Sequence, residues 1–257
     1  TLGGLEMAFP LTVNLSYGME KRETSDQRHK LGTRGTLPDG RVFYYAENSG
    51  TAVDHGGYLL DGIAAVAAHD MDVAAAATSA GATSFTSGTS LTTTKDQYAD
   101  GYVYFNDGPG QGETYKVKSN TAVSGATGLE ITIDEPDGLV TALTTSSLFG
   151  LMYSPYKDVK IIDGDGTMTT GVIGVSTAPI TADYFCWIQT AGPCSLRLGA
   201  QVGIVGDAVT WSQASGEDGE AERTDYSDEA DIANIGHAMG IPAVDSDNQW
   251  VMLSIRA

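Results

Sequence analysis

Asp163 and Asp165, in the run Asp163-Gly-Asp-Gly166, have the type and spacing of a site for a hard cation. Alternating carboxylates on a glycine-rich backbone let several oxygens converge on Ca2+. The run stops short of a full calcium loop, because Thr167-Met-Thr-Thr170 adds no acidic ligand and no bidentate Glu stands at the twelfth position. A tight turn between strands is the stronger expectation, and Ca2+ the weaker one. The same two carboxylates make a poor glycosidase pair, since adjacent turn residues have no means of keeping one protonated and one ionised across a substrate. Gly108-Pro-Gly-Gln-Gly112 is only superficially a phosphate loop. Glu113 stands where the last glycine of Gly-x-Gly-x-x-Gly belongs, a strand rather than a helix follows, and an anion would face Asp107 and Glu113. His29, His55, His69 and His237 share no common spacing with carboxylates or cysteines. His69-Asp70 with Asp72 could orient an imidazole, but a surface or interface role is expected. The chain has no Gly-x-Ser-x-Gly elbow, His-Glu-x-x-His pair, Walker-type loop or Cys-x-x-Cys pair. The expectation is a protein that is not an enzyme and needs no cofactor.

Cys186 and Cys194 flank Ala191-Gly-Pro193, which reads as the turn of a hairpin. A disulfide across it is one reading; two buried small hydrophobes is the preferred one.

The elements that must position these groups carry an uneven charge. Over 257 residues, 14 Lys and Arg oppose 33 Asp and Glu, a net charge of −19. Nucleic acid is thereby excluded as a direct partner over most of the surface, because neutralising phosphates requires clustered cations. Residues 1–62 are nearly balanced, with 6 basic and 8 acidic groups. Residues 63–155 have 3 and 10, and residues 156–257 have 5 and 15. Within the balanced part, Glu20 to Arg41 forms a local basic stretch with Lys21, Arg22, Arg28, Lys30 and Arg34, interleaved with Glu20, Glu23, Asp26 and Asp39. It reads equally as a solvated loop and as an arm that meets an acidic neighbour. Gly216 to Asp231 is densely acidic and opposed only by Arg223, which predicts a solvated projecting loop. No stretch approaches the ~18 apolar residues of a membrane span, and Thr1 to Tyr17 lacks the pattern of a secretion signal.

Strand signals dominate. Arg41 to Ala46 follows the turn Leu37-Pro-Asp-Gly40, and Gly101 to Phe105 runs through a glycine-rich turn into Glu113 to Lys118. Leu129, Ile131 and Ile133 alternate with polar residues, and Val251, Leu253 and Ile255 share one face. Further strands are expected at 172–175, 184–190, 195–198, 202–205 and 208–212. Ile63 to Ala77 is helical on propensity alone but lacks a wide apolar stripe. Ala230 to Ala238 is a second short helix candidate. The expected fold is mainly β, with two β-sandwich or barrel-like regions, the second inserted in the first, and an extended N-terminal arm. The boundaries are 1–40 for the arm, 41–63 with 156–257 for a discontinuous β domain, and 64–155 for the inserted one.

Several phrases stand in a telling order. They are Lys30-Leu-Gly-Thr33, Asp39-Gly-Arg-Val-Phe-Tyr-Tyr45, Gln97-Tyr-Ala-Asp-Gly-Tyr-Val-Tyr-Phe-Asn-Asp-Gly-Pro-Gly-Gln-Gly-Glu-Thr-Tyr-Lys-Val117, Tyr184-Phe-Cys-Trp-Ile-Gln-Thr-Ala-Gly-Pro193, Ile235-Gly-His-Ala-Met-Gly240 and Gln249-Trp-Val-Met-Leu-Ser-Ile255. Together they resemble virion structural proteins of tailed bacteriophages, the capsid decoration or cement proteins of the head. The resemblance runs from Lys30 onward. It implies a structural protein on the outer surface of the capsid, assembled in the host cytoplasm. Its partners would be the major capsid protein and further copies of itself as a homotrimer, with no direct nucleic-acid or membrane contact. Lys21, Arg22, Arg28, Lys30 and Arg34 would then be the contacts to shell or neighbour. The alternative is a receptor- or glycan-binding module of a head or tail fibre, with the Tyr-rich strand Gly101 to Phe105 as the rim. The absence of long shaft repeats counts against it.

Overall fold

Period-two alternation over short segments, punctuated by glycine, builds a chain that is 41% strand and 1% helical. The computed structural model describes residues 12–164, 168–199, 203–224, 234–242 and 244–256. The chain opens with β1 (Thr12–Asn14), a 3-10 turn (Met19–Lys21), β2 (Arg34–Thr36), β3 (Val42–Glu47) and β4 (Leu59–Asp61). Next come β5 (Val73–Ala74), β6 (Ser84–Thr86), β7 (Leu91–Thr93), β8 (Tyr102–Asp107), β9 (Thr114–Asn120), β10 (Val123–Ala126), β11 (Glu130–Ile133) and β12 (Leu148–Met152). It closes with β13 (Lys160–Ile161), β14 (Gly174–Ser176), β15 (Phe185–Leu198), β16 (Ala208–Trp211), β17 (Ala221–Arg223), β18 (Gly236–Ala238) and β19 (Asp247–Ser254). Two compact units result, residues 1–63 with 156–257, and residues 64–155.

The first unit is organised by β15. Its first half pairs with β3 on one side and β14 on the other, extending a sheet through β2 to β1 and through β4 to β13. Its second half pairs with β19 and, in parallel, with β17. Because β17, β16, β18 and β19 also pair in sequence, these five strands close into a barrel. Ala191-Gly-Pro193 is therefore a bend inside one 14-residue strand, not a hairpin turn. The ladder with β3 slips between Gln189 and Ala191. The buried Gln189 amide repairs the gap, donating from Nε2 to the carbonyls of Ala191 (3.2 Å) and Pro193 (2.8 Å). Gly192 supplies φ +88°, which L side chains rarely adopt. Cys186 and Cys194 consequently lie eight residues apart on one strand, roughly 26 Å at ~3.3 Å per residue, in separate cores. Both are free thiols, pushed up to about 12 by burial.

The residues expected to form an extended arm are integral to this unit from Thr12 on. Leu15, Leu31 and Leu37 are buried beside Phe43, Tyr45 and Trp187, because β1 and β2 add to the edge of β3. Residues 1–11 lie outside the described ones. The acidic stretch also departs from expectation. Glu220 is 1% exposed and β17 is a barrel strand, because Arg197 lies opposite and takes up the charge. Residues 225–231 lie outside the described ones. Gly236 to Ala238 forms β18 rather than the end of a helix, and a side chain at Gly236 would meet the Met252 carbonyl. Residues 203–205 form a loop, not a strand.

In the second unit, β5-β12-β8-β9-β11-β6 curl into a half-barrel whose edges are drawn together by an Ala75–Ser87 bridge. Phe85, Phe105 and Phe149 fill it, with Phe85 edge-on to Phe149 at 5.2 Å. The Gly108–Gly112 run turns β8 into β9, with positive φ at Gly108, Gly110 and Gly112. Residues 63–77 contain no helix: the polypeptide turns at 67–69 to bury His69, whose Nδ1 lies 2.6 Å from the Tyr98 hydroxyl.

A buried carboxylate ties β4 to the loop before β14. Asp61 accepts from the Thr169 N–H (2.6 Å) and hydroxyl (2.9 Å), and from the Thr170 N–H (2.9 Å) and hydroxyl (2.7 Å). Burial alone would raise its pKa, but these donors outweigh it and hold the carboxyl below the ordinary 3.8. A folded-state pKa below the unfolded one adds stability that is present above pH ~4 and lost as pH falls through the folded value. Asp61→Asn is expected to cost about 2 kcal/mol at pH 7 in urea unfolding. Its deficit against the parent should shrink as the pH falls below the ordinary carboxylate value of about 4. A deficit that does not change with pH would contradict the clamp.

Candidate interaction surface

The five cations singled out in the sequence fall on one end of the first unit, where β15 begins. Thr24 bridges Phe185, the Arg28 N–H donates to the Tyr45 hydroxyl (3.0 Å), and His29 packs against the Tyr45 and Trp187 rings at 5.1 and 5.4 Å. Lys21, Arg22, Arg28 and Lys30 are exposed, while Arg34, opposite Tyr44 on β2, is half-buried. Two of the interleaved acids, Glu20 and Glu23, are engaged by donors of the unit. Glu20 is buried and accepts from the Gly18 N–H at 2.6 Å. Glu23 accepts from the Thr181 N–H (2.6 Å) and hydroxyl (2.7 Å). Asp26 faces Arg28 at 3.6 Å, a solvent-exposed pair that fixes little. Glu20 and Glu23 are thus held by neighbouring donors while Asp26 and Asp39 stay exposed beside Arg28 and Arg41, and the segment presents Lys21, Arg22, Arg28 and Lys30 to solvent from an ordered, packed stretch rather than a loose arm.

The opposite end of the unit was not legible as a site. Past the bend in β15, the barrel presents Ile204, Val205, Met239, Ile241, Val244 and Trp250 to solvent, each between 45% and 66% exposed. Met239 and Trp250 follow the registered pair Ala238–Val251, so they stand side by side on the outer face of the barrel, and the Met239 N–H donates to the Trp250 carbonyl. The turns that carry the others are pinned. Asp207 accepts from the Ile204 N–H at 3.1 Å, and Asp247 accepts from the Val244 N–H at 3.2 Å. Six large apolar side chains held outward by ordered turns make a contact surface, not scattered exposure. The only sequence signal was their setting, apolar residues beside Gly203, Gly206 and Gly240 where a loop is normally polar.

A polar cluster lies on the side of the barrel. The Tyr58 ring stacks on His55 at 4.4 Å, and its hydroxyl is 2.9 Å from His55 Nε2. Arg197 donates to that hydroxyl (3.2 Å) and, through Nε (3.2 Å) and Nη2 (2.7 Å), to one oxygen of Glu220. The other oxygen, Oε2, is buried and has no hydrogen-bond partner. The arrangement neutralises a buried carboxylate and anchors β17. Asp163 is exposed and Asp165 lies outside the described residues. Among the described residues, no group of three or more His, Cys, Asp or Glu is placed to hold a metal.

Removing Arg197 alone should leave Glu220 charged and uncompensated. Arg197→Met is expected to cost about 3–5 kcal/mol in chemical denaturation, with most of that recovered in the Arg197→Met/Glu220→Leu double variant. Equal destabilisation of the single and double variants would contradict the pairing. Comparison of the chain with protein-family models, curated proteins and solved structures finds no match.

Proposed function

We propose that this chain is a structural virion protein that decorates the outer surface of a tailed-phage head, bridging shell subunits as a homotrimer. The observation that carries the reading is the fixed positive face of Lys21, Arg22, Arg28 and Lys30 on a protein of net charge −19. Such a face selects an acidic protein surface, a patch on the major capsid protein or on an adjacent copy. The acidic remainder keeps the molecule off the genome and keeps particles apart. The resemblance from Lys30 onward to decoration and cement proteins supports the same reading. Binding by several weak charged contacts at once gains from avidity, since a trimer engages several capsid subunits together. No cofactor and no reaction enter this account.

The receptor- or glycan-binding reading is favoured by one feature, the 39% exposed Tyr102 on β8 with the Lys116 ammonium 5.9 Å from its ring centre. The shell reading is preferred because the exposed cations and the resemblance from Lys30 onward both support it.

The test is charge reversal. The variant Lys21→Glu/Arg22→Glu/Arg28→Glu/Lys30→Glu is expected to lower occupancy on heads at least tenfold and to flatten its salt dependence. Melting should be unchanged, because all four side chains are exposed. Unchanged occupancy would remove the positive face from the account.

A further inference from the structure

Outward positions on three neighbouring barrel strands form a face without an acid. Val251 and Leu253 of β19 are buried in the barrel core, so Trp250 and Met252 point the other way. Register sets Met239, Trp250 and Ser195 side by side in one row, and His237, Met252 and Pro193 in the next. None of these six residues is acidic, on a chain with 33 Asp and Glu. The acids at the border are Asp207 and Asp247, half-buried and holding the Ile204 and Val244 N–H groups, and Asp245, exposed on the turn that Asp247 closes.

The relief of this face is uneven. Trp250 is 59% exposed, on the order of 150 Å² for a side chain of its size, whereas Ser195 beside it is exposed but short. A tall aromatic next to a low position makes the face complementary to itself, because the indole of one copy finds a floor at Ser195 of another. With the five other apolar side chains exposed at this end, the area reaches the several hundred Å² that distinguish a contact surface from scattered exposure. That is a large share of the roughly 800 Å² that each partner brings to a stable interface. Copies of net charge −19 repel one another, and a face without acids is where that repulsion is weakest.

We propose that this face joins copies of the chain: the Trp250 indole of one copy packs over Ser195 of the next, and the contact repeats around a closed ring. The contact is head-to-tail, since the β18–β19 side of the face in one copy meets the β15 side in its neighbour. That the ring holds three copies rests on the decoration reading, and the contact itself does not.

The test follows the full chain by sedimentation and by tryptophan fluorescence. Of its three Trp, Trp187 and Trp211 are 5% and 8% exposed, so a concentration-dependent change in acrylamide quenching reports on Trp250. The parent is expected to sediment as a trimer at micromolar concentration, with Trp250 shielded there and quenched on dilution. Trp250→Glu and Ser195→Trp should each weaken association at least tenfold with far-UV circular dichroism unchanged. Val140→Glu, at a 77% exposed apolar residue of the second unit, should leave association intact. Each of the first two variants keeps one half of the contact, so their mixture should form a one-to-one pair that cannot close. Added salt should tighten association by screening the net charge. Four results would overturn the proposal: a parent that is monomeric at every concentration, an oligomer whose Trp250 stays open to acrylamide, an oligomer unaffected by Trp250→Glu or by Ser195→Trp, and a mixture without the mixed pair. A trimer in solution that does not occupy heads would reject the decoration reading and leave this contact standing, and a monomer that does occupy them would do the reverse.

Discussion

One strand with four neighbours holds the first unit together. Phe185–Leu198 belongs to an open sheet through its first half and to a closed barrel through its second, and the change of partners happens within the five residues from Gln189 to Pro193. A strand that switches partners must leave backbone groups unpaired at the switch, and buried unpaired groups are costly. Gln189 meets that cost with its own amide, and the Thr190 carbonyl and hydroxyl are taken up by the backbone at Ile255 and Arg256. Both cores, Phe43 and Ile188 on one side and Leu196 and Val251 on the other, depend on that bend being rigid.

The same strand gives the unit its polarity. The stretch packed at its beginning engages Glu20 and Glu23 and leaves Lys21, Arg22, Arg28 and Lys30 exposed, and the turns at its end hold apolar side chains out. Burial of Leu15, Leu31 and Leu37 fixes the positive face as firmly as the barrel fixes the apolar one. These two ends are what the proposal of assembly over chemistry draws on.

Much of the strand content was legible because it rests on local alternation. Leu129, Ile131 and Ile133 are buried and Glu130 is exposed, as a period-two pattern requires. The misreadings share one cause, partners distant in sequence. Gly192-Pro193 has the chemistry of a turn, and only the strands on both sides of β15 convert it to a bend. The acidic stretch was read as solvated because Arg197, its counter-charge, lies 23 residues before Glu220. The cations of the supposed arm were legible as residues but not as a face. Their orientation depends on Thr181 capturing Glu23 from 158 positions away. The apolar barrel end had no periodic signature, since its exposure is a product of barrel closure and not of any one segment.

The proposal that this is a particle component acting through its surfaces is tested most directly by the copy number of the chain in purified phage particles. Quantitative mass spectrometry against the major shell protein would supply that number. The account predicts a ratio near one to one or a simple fraction of it. A few copies per particle, or none, would contradict it.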